Sequence, residues 1–136
     1  MRENRPNLAG LDHFVLTVAD IEVSVGFYET VLGMSAERFF PDDGSERWSL
    51  KFGKQKINLH KAGSEFEPKA LSPAPGTADL CFLTDTPVAD WLLFLNEKNV
   101  PVEEGPIKRT GATAPILSIY VRDPDGNLLE ISNKVS

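Results

Sequence analysis

The chain has 136 residues, of which 41% are hydrophobic and 25% are charged, and its formal net charge is −6. This length and composition are typical of a single globular domain that buries its own core. The acidic balance, with both signs of charge intermixed, argues against nucleic acid or an anionic membrane as a partner, because both favour a basic surface.

A single cysteine, Cys81, excludes any disulfide within the chain. Such a composition fits a reducing compartment. The polar N-terminal stretch MRENRPNLAG lacks the apolar centre of a signal peptide, and the longest apolar stretch is too short to cross a bilayer. We therefore expect a cytoplasmic protein.

The first half of the chain predicts a strand, a helix and then further strands. The segment LDHFVLTVAD is rich in β-branched and apolar residues, as strands are. A helix is predicted to follow, because Asp20 can cap its start, apolar residues recur at helical spacing, and Gly33 suits its end. Two strand-like runs, RWSLKF and KINLHK, come next.

The second half repeats this order. ADLCFLTD predicts a strand, and Thr86 followed by Pro87 predicts a helix start with the threonine as its cap. APILSIYVRD and NLLEIS predict two more strands, joined by a turn at DPDG. The repeat predicts one domain over residues 9–134, made of two similar modules and a linker: residues 9–63, 64–76 and 77–134.

Strand side chains alternate between two faces, so the sequence also predicts which residues share a face. One set is uniformly aromatic or aliphatic and is predicted to pack against the helices: Phe14, Leu16, Leu117 and Ile119. The opposite set is polar and is predicted to line a cavity: His13, Asn58, His60, Ser118 and Tyr120.

Histidine and carboxylate residues occupy comparable places in the two halves. His13 and Asp79 open the first strands of their modules, and His60 and Glu130 lie in the last strands. If a pseudo-twofold axis relates the modules, these side chains converge, and imidazole with carboxylate suits Zn, Ni, Co, Mn or Fe(II). The alternative is a hydrogen-bonded structural histidine and an edge-strand Glu130 in water.

A resemblance to a known group favours the metal site. The segments LDHFVLTVAD, FYETVLGM and RDPDGNLLEIS, in a two-module layout, resemble the vicinal oxygen chelate superfamily over residues 9–134. That superfamily includes glyoxalase I, extradiol dioxygenases, fosfomycin resistance proteins and bleomycin-binding proteins. Within it, INLHKAGSEFEPKA and VEEGPIKRTGA are similar to the group of glyoxalase domain-containing protein 5. The resemblance implies an α+β fold in which two βαβββ modules form an incomplete barrel around a divalent metal.

The resemblance also implies roles for individual residues. His13 matches the first-strand histidine ligand, and Glu130 matches the last-strand glutamate. Asn58 fits the register of the fourth-strand glutamate of glyoxalase I, but we predict His60, two residues on, as the third ligand because imidazole binds these metals better. Asp79 stands where many members place a second histidine, and is either a fourth ligand or the general base.

The chemistry implied by the resemblance is metal-assisted proton transfer. In such sites a metal holds adjacent oxygens of the substrate, and a carboxylate, here Glu130 or Asp79, moves the proton. The expected function is a metal-dependent lyase or isomerase of the glyoxalase type that acts on a small oxygenated metabolite. The alternatives are an Fe(II)-dependent dioxygenase and a small-molecule binding or resistance protein that needs no metal.

Several polar residues are candidates for binding the substrate. Arg109 and Thr110 fall in a segment predicted as a flexible loop, where they either hold an anionic group or face solvent. Ser118, Tyr120 and Asn58 are predicted to orient the substrate. We expect a small-molecule substrate and a homodimer, and the sequence leaves open whether the modules pair within one chain or between two.

Overall fold

The computed structural model describes residues 5–135, which contain two successive βαβββ units. Residues 1–4, the start of the polar N-terminal stretch considered above, lie outside the described residues. The first unit comprises β1 (His13–Val18), α1 (Ile21–Thr30), β2 (Ser35–Phe39), β3 (Arg47–Phe52) and β4 (Gln55–Lys61). The second comprises β5 (Asp79–Leu83), α2 (Val88–Glu97), β6 (Glu104–Thr110), β7 (Pro115–Arg122) and β8 (Leu128–Lys134).

Each unit folds into a four-stranded sheet with the same strand order. The order is β1-β4-β3-β2 in module one and β5-β8-β7-β6 in module two. The first strand of each module runs parallel to the last, and the other neighbours are antiparallel. The predicted α+β class with two βαβββ modules is confirmed, and within residues 5–135 the two sheets remain separate and do not close a barrel.

The two helices begin in different ways. Asp20 caps α1 as predicted, because its side chain accepts a hydrogen bond from the backbone N–H of Val23 at 3.1 Å. The prediction that Thr86 caps α2 is wrong. The N–H of Val88 instead donates to Asn133 Oδ1 at 2.8 Å, so a side chain from β8 takes the place of a local cap.

The segment around Arg109 is a strand, which corrects the prediction of a flexible loop there. Its residues pair with β7, with Ile107 opposite Ser118 and Arg109 opposite Ile116. The register shifts between Glu104 and Ile107, so Pro106 sits at an irregularity where no ladder hydrogen bond needs its nitrogen. Tertiary pairing therefore overrides the local proline and glycine signals.

The helix-covered faces of both sheets share one hydrophobic core. Phe52 of module one meets Phe82 of module two edge to face, with ring centroids 5.3 Å apart. Phe14, Leu16 and Ile119 lie on this side as predicted, whereas Leu117 is only half-buried and outside the core cluster. The two polar faces therefore point away from the shared core. None of the helices within the described residues has the length and apolar character needed to span a bilayer.

A buried hydrogen-bond network also joins the modules. The hydroxyl of Tyr28 on α1 donates to Asp123 Oδ2 at 2.6 Å. Asp123 accepts three further hydrogen bonds, from the side chain of Asn127 and from the backbone N–H groups of Asp125 and Asn127. Asp125 reaches back to module one, where its Oδ1 accepts from the N–H of Ala19 at 3.3 Å. The DPDG turn is therefore a structural joint.

Candidate functional site

The polar face of module two is organised in cross-strand rows. Tyr120 lies beside Glu130, which lies beside Cys81. Two residues further along the strands, Ser118 lies beside Ser132, and two further still Ile116 lies between Arg109 and Lys134. Successive rows are about 7 Å apart, given the rise of a strand. This order confirms the alternation predicted for β7, since Ser118 and Tyr120 share the face of Glu130.

Glu130 is held in place by its neighbours. Ser118 Oγ donates to Glu130 Oε2 at 2.6 Å and lies 2.6 Å from Ser132 Oγ. Ser118 and Ser132 are fully buried, whereas Glu130 is half-buried. The carboxylate is therefore oriented from below and retains an oxygen for a ligand above the sheet.

Arg109 lies over the same face. Its Nε donates to the hydroxyl of Tyr120 at 2.9 Å, and its Nη2 is 3.5 Å from Glu104 Oε2. Its guanidinium also lies 5.5 Å from the centroid of the Tyr120 ring. Arg109 is thus braced by Tyr120 at the surface of the polar face.

A cavity of about 370 Å³ opens on this face. Its lining includes Glu130, Arg109, Thr110 and Lys134 together with several apolar side chains. Lys134 was missed in the sequence analysis. The alternation of Glu130, Ser132 and Lys134 along one strand is the signal that would have found it.

The polar face of module one carries His13 and Asn58. His13 is exposed, and its Nδ1 lies 2.8 Å from Asp12 Oδ2, which leaves Nε2 available to a ligand. Asp12 was also missed as a supporting residue. Asn58 is half-buried, and its Oδ1 is buried with no hydrogen-bond partner in the described part of the chain. A buried acceptor without a partner is costly and marks a place where a ligand would contribute.

The strand registers correct the predicted equivalence of His60 and Glu130. His13 pairs with Lys56, two residues before Asn58, and Asp79 pairs with Leu128, two residues before Glu130. The counterpart of Glu130 in module one is therefore Asn58. His60 pairs with Thr17, four residues beyond His13 along β1, or about 13 Å at the rise of a strand.

His60 instead packs under the segment that follows β4. It is buried, and its ring meets Phe66 edge to face at 5.3 Å. The guanidinium of Arg47 lies 3.8 Å from the centroid of the same Phe66 ring. Burial, assisted by the charge of Arg47, lowers the pKa of His60. His60 lines a separate cavity of about 240 Å³ with Val15 and Thr17.

Asp79 and Cys81 are both exposed on the polar face of β5. Cys81 Sγ lies 3.4 Å from Ser132 Oγ, and partial burial of the thiol raises its pKa. Cys81 is exposed because this face of β5 is not covered by a helix.

Residues 5–135 of one chain do not bring the predicted ligands together. No group of three or more His, Cys, Asp or Glu residues within this range is arranged to hold a metal ion. His13 and Glu130 lie on polar faces of different modules that point away from the shared core. A set made of His13, His60 and Glu130 is therefore not assembled by this arrangement.

The donor atoms of these residues are nevertheless of the types that bind divalent metals. His13 offers an exposed imidazole nitrogen, Glu130 offers a carboxylate oriented by Ser118, and Asn58 offers a carbonyl oxygen without a hydrogen-bond partner in the described residues. One imidazole with oxygen donors suits Mn²⁺ or Fe²⁺. Within residues 5–135, however, His13 and Asn58 lie on the polar face of module one and Glu130 lies on the polar face of module two.

Comparisons with known proteins agree with this architecture. A family model described as the Glyoxalase/Bleomycin resistance protein/Dioxygenase superfamily matches residues 10–131. "Virulence protein STM3117" of Salmonella typhimurium is 54% identical over 125 residues, covering 92% of this chain and 84% of that protein. "Glyoxalase domain-containing protein RDO1" of Mycosarcoma maydis is 52% identical over 132 residues, covering 97% of this chain and 72% of that protein. The narrower likeness to glyoxalase domain-containing protein 5 stays a prediction.

Solved structures share the fold. An integron cassette protein from the mobile metagenome of V. cholerae has a TM-score of 0.89 at 53% identity, covering 95% of this chain and 98% of that one. At 22% identity, an antibiotic binding protein from Streptomyces and a lactoylglutathione lyase from Agrobacterium tumefaciens have TM-scores of 0.71 and 0.67. The antibiotic binding protein covers 96% of this chain and 100% of its own length, and the lyase 93% and 95%. These two distant likenesses show the fold alone.

Proposed function

Because the chain belongs to the Glyoxalase/Bleomycin resistance protein/Dioxygenase superfamily, we propose that it is a metal-dependent lyase or isomerase of the glyoxalase type. Its substrate is a small oxygenated metabolite. The observation that carries the proposal is the register equivalence of two half-sites. His13 and Asn58 occupy in module one the positions that Asp79 and Glu130 occupy in module two.

In this proposal a second copy of the chain completes the site. β1 and β5 are edge strands of their sheets within the described residues, so each offers an unpaired edge to a partner. The polar faces beside these edges expose apolar side chains, with Val15 47% and Leu83 58% exposed. Placing β1 of one copy beside β5 of another would cover these side chains and bring His13 of one chain to Glu130 of the other. The protein would act in this form as a cytoplasmic homodimer, with neither nucleic acid nor membrane as partner.

We assign the ligand roles to His13, Glu130 and the Asn58 carbonyl oxygen. His60 is left out because the register separates it from His13 by about 13 Å along the sheet. These residues would hold Mn²⁺ or Fe²⁺, to judge from the donor types, and the bound metal would supply Lewis-acid chemistry.

The proton is moved by Asp79 in this proposal. Glu130 is fixed by the hydrogen bond from Ser118 and engaged as a ligand, which makes it a weak base. Asp79 is exposed on the same side of the sheet and makes no side-chain hydrogen bond within the described residues, so its carboxylate is free to take a proton from bound substrate. Ser118 positions Glu130, and Tyr120 positions Arg109.

Metal analysis of variants tests the ligand assignment. Purified proteins are stripped with a chelator, reloaded with Mn²⁺ and assayed by elemental analysis. His13→Ala and Glu130→Gln should lose most of the bound metal, whereas His60→Ala should retain it. Asp79→Asn should retain metal and lose turnover once a substrate is known. Full retention of metal in both His13→Ala and Glu130→Gln would contradict the proposal. Loss of metal in His60→Ala would restore His60 to the ligand set.

A further inference from the structure

We infer that the substrate carries a carboxylate on an apolar body, and that Arg109 and Lys134 bind this carboxylate in the cavity of module two. The inference rests on the proposed function in taking this cavity as the substrate site. It does not rest on the metal, because Arg109 and Lys134 are not among the proposed ligands.

The cationic end of the cavity is built from two strands. Arg109 on β6 and Lys134 on β8 flank Ile116 in one cross-strand row, and all three line the cavity. Glu130 lies on β8 four residues before Lys134, or about 13 Å along the strand. The guanidinium of Arg109 reaches from this row to the hydroxyl of Tyr120, the cross-strand neighbour of Glu130, so it lies between the Lys134 end of the cavity and Glu130. A substrate in this cavity can therefore present an anion to Arg109 and Lys134 and its reacting oxygens to the side of Glu130.

The guanidinium of Arg109 is oriented and has N–H groups available to an anion. Its Nε is engaged by Tyr120, which fixes the plane of the guanidinium, and its Nη2 makes only a long contact of 3.5 Å to Glu104. Its Nη1 makes no hydrogen bond within the described residues. An oriented guanidinium with free N–H groups matches a carboxylate in geometry and charge.

The walls of the cavity indicate the rest of the substrate. Leu83, Ile116, Ala112 and Ala114 contribute its apolar lining, and Thr110 and Thr113 lie beside them. A volume of about 370 Å³ fits a small organic molecule. A heavily hydroxylated or multiply phosphorylated compound would leave most of its polar groups facing these apolar walls, so a carboxylic acid with an aromatic or aliphatic body is the class that fits.

Binding of benzoate and its neutral analogue benzamide tests the inference. Both are titrated calorimetrically against the chelator-treated full-length protein at low ionic strength, where no metal contributes. Benzoate should bind on the order of tenfold more tightly than benzamide, and added salt should reduce the difference. Arg109→Ala and Lys134→Met should each abolish most of the preference.

Lys108→Ala is the matched control. Lys108 precedes Arg109 on the same strand and points to the opposite face, so its loss removes the same charge from the chain but not from the cavity. It should retain the preference for benzoate. Equal binding of benzoate and benzamide by the parent, or equal loss in Lys108→Ala and Arg109→Ala, would overturn the inference. Failure of the metal assay above would leave this titration unaffected, so the two proposals fail separately.

Discussion

Tyr28→Phe tests whether the buried joint between the modules stabilises the fold. The change removes a hydroxyl that donates to Asp123 Oδ2 at 2.6 Å, and Tyr28 itself is completely buried. Burial and the neighbouring Asp123 raise the pKa of Tyr28 far above its ordinary value, so the phenol is protonated and acts as the donor. A hydrogen bond to a charged acceptor contributes about 1.5 to 3 kcal/mol.

The expected cost lies in the middle of that range. Asp123 keeps the hydrogen bonds from Asn127 and from two backbone N–H groups, so its carboxylate is not left without partners. We expect the free energy of unfolding to fall by about 2 kcal/mol, which for a domain of this size lowers Tm by roughly 6 to 10 °C.

Urea denaturation at matched protein concentration measures this cost, because a dimer's apparent stability depends on concentration. The chain has two tyrosines, and the second provides the control. Tyr120 bonds to the exposed Arg109, so Tyr120→Phe should change the free energy of unfolding by less than about 0.5 kcal/mol. Equal losses of unfolding free energy in the two variants would refute the idea that the buried hydrogen bond of Tyr28 stabilises the fold more than the exposed one of Tyr120.

Further predictions concern the same turn and the first helix. Burial, together with the charges of Asp123 and Asp20, raises the pKa of Asp125, so the stability this group contributes is present at low pH and is lost as the pH rises through its folded pKa. As the pH rises from 4 to 7, the free energy of unfolding of Asp125→Asn should therefore increase relative to that of the parent. Denaturation curves measure this difference, and a difference that stays constant across the range would contradict the argument. Gly26 lies inside α1 with open space where an added methyl group would sit, so Gly26→Ala should stabilise the protein by about 0.5 to 1 kcal/mol. Gly33 has equal space but a φ of 70°, so Gly33→Ala should destabilise it by about 1 kcal/mol, and the same sign for both would be inconsistent with this reasoning.

The strand alternation was predictable from the sequence because each face has its own chemistry. Ile119 and Ser118 separate into core and cavity sides as their side chains indicate. The repeat order was also predictable, since the same sequence of strand and helix signals occurs twice. The edge strand β2 was not predicted from the sequence, because its segment SAERF is short and mostly polar.

The pairing of the site residues was only partly predictable. His60 and Asn58 share a face two residues apart, so local pattern alone cannot decide which of them corresponds to Glu130. That choice depends on how β1 aligns with β4 and β5 with β8, and such registers are properties of the folded sheets. The residue that caps α2 was also not predictable from local sequence. Asn133 belongs to β8, and only the folded structure brings its side chain to the start of the helix.

The most direct test of the two-chain site is a mixed dimer of His13→Ala and Glu130→Gln. The two variants are coexpressed with different affinity tags, and the mixed dimer is isolated by purification on both tags in turn. If His13 of one chain and Glu130 of the other share a metal, one site of the mixed dimer carries both substitutions and the other carries neither. The mixed dimer should then bind about half as much Mn²⁺ as the parent dimer, while each variant alone binds almost none. A mixed dimer as empty as the single variants would show that each site lies within one chain.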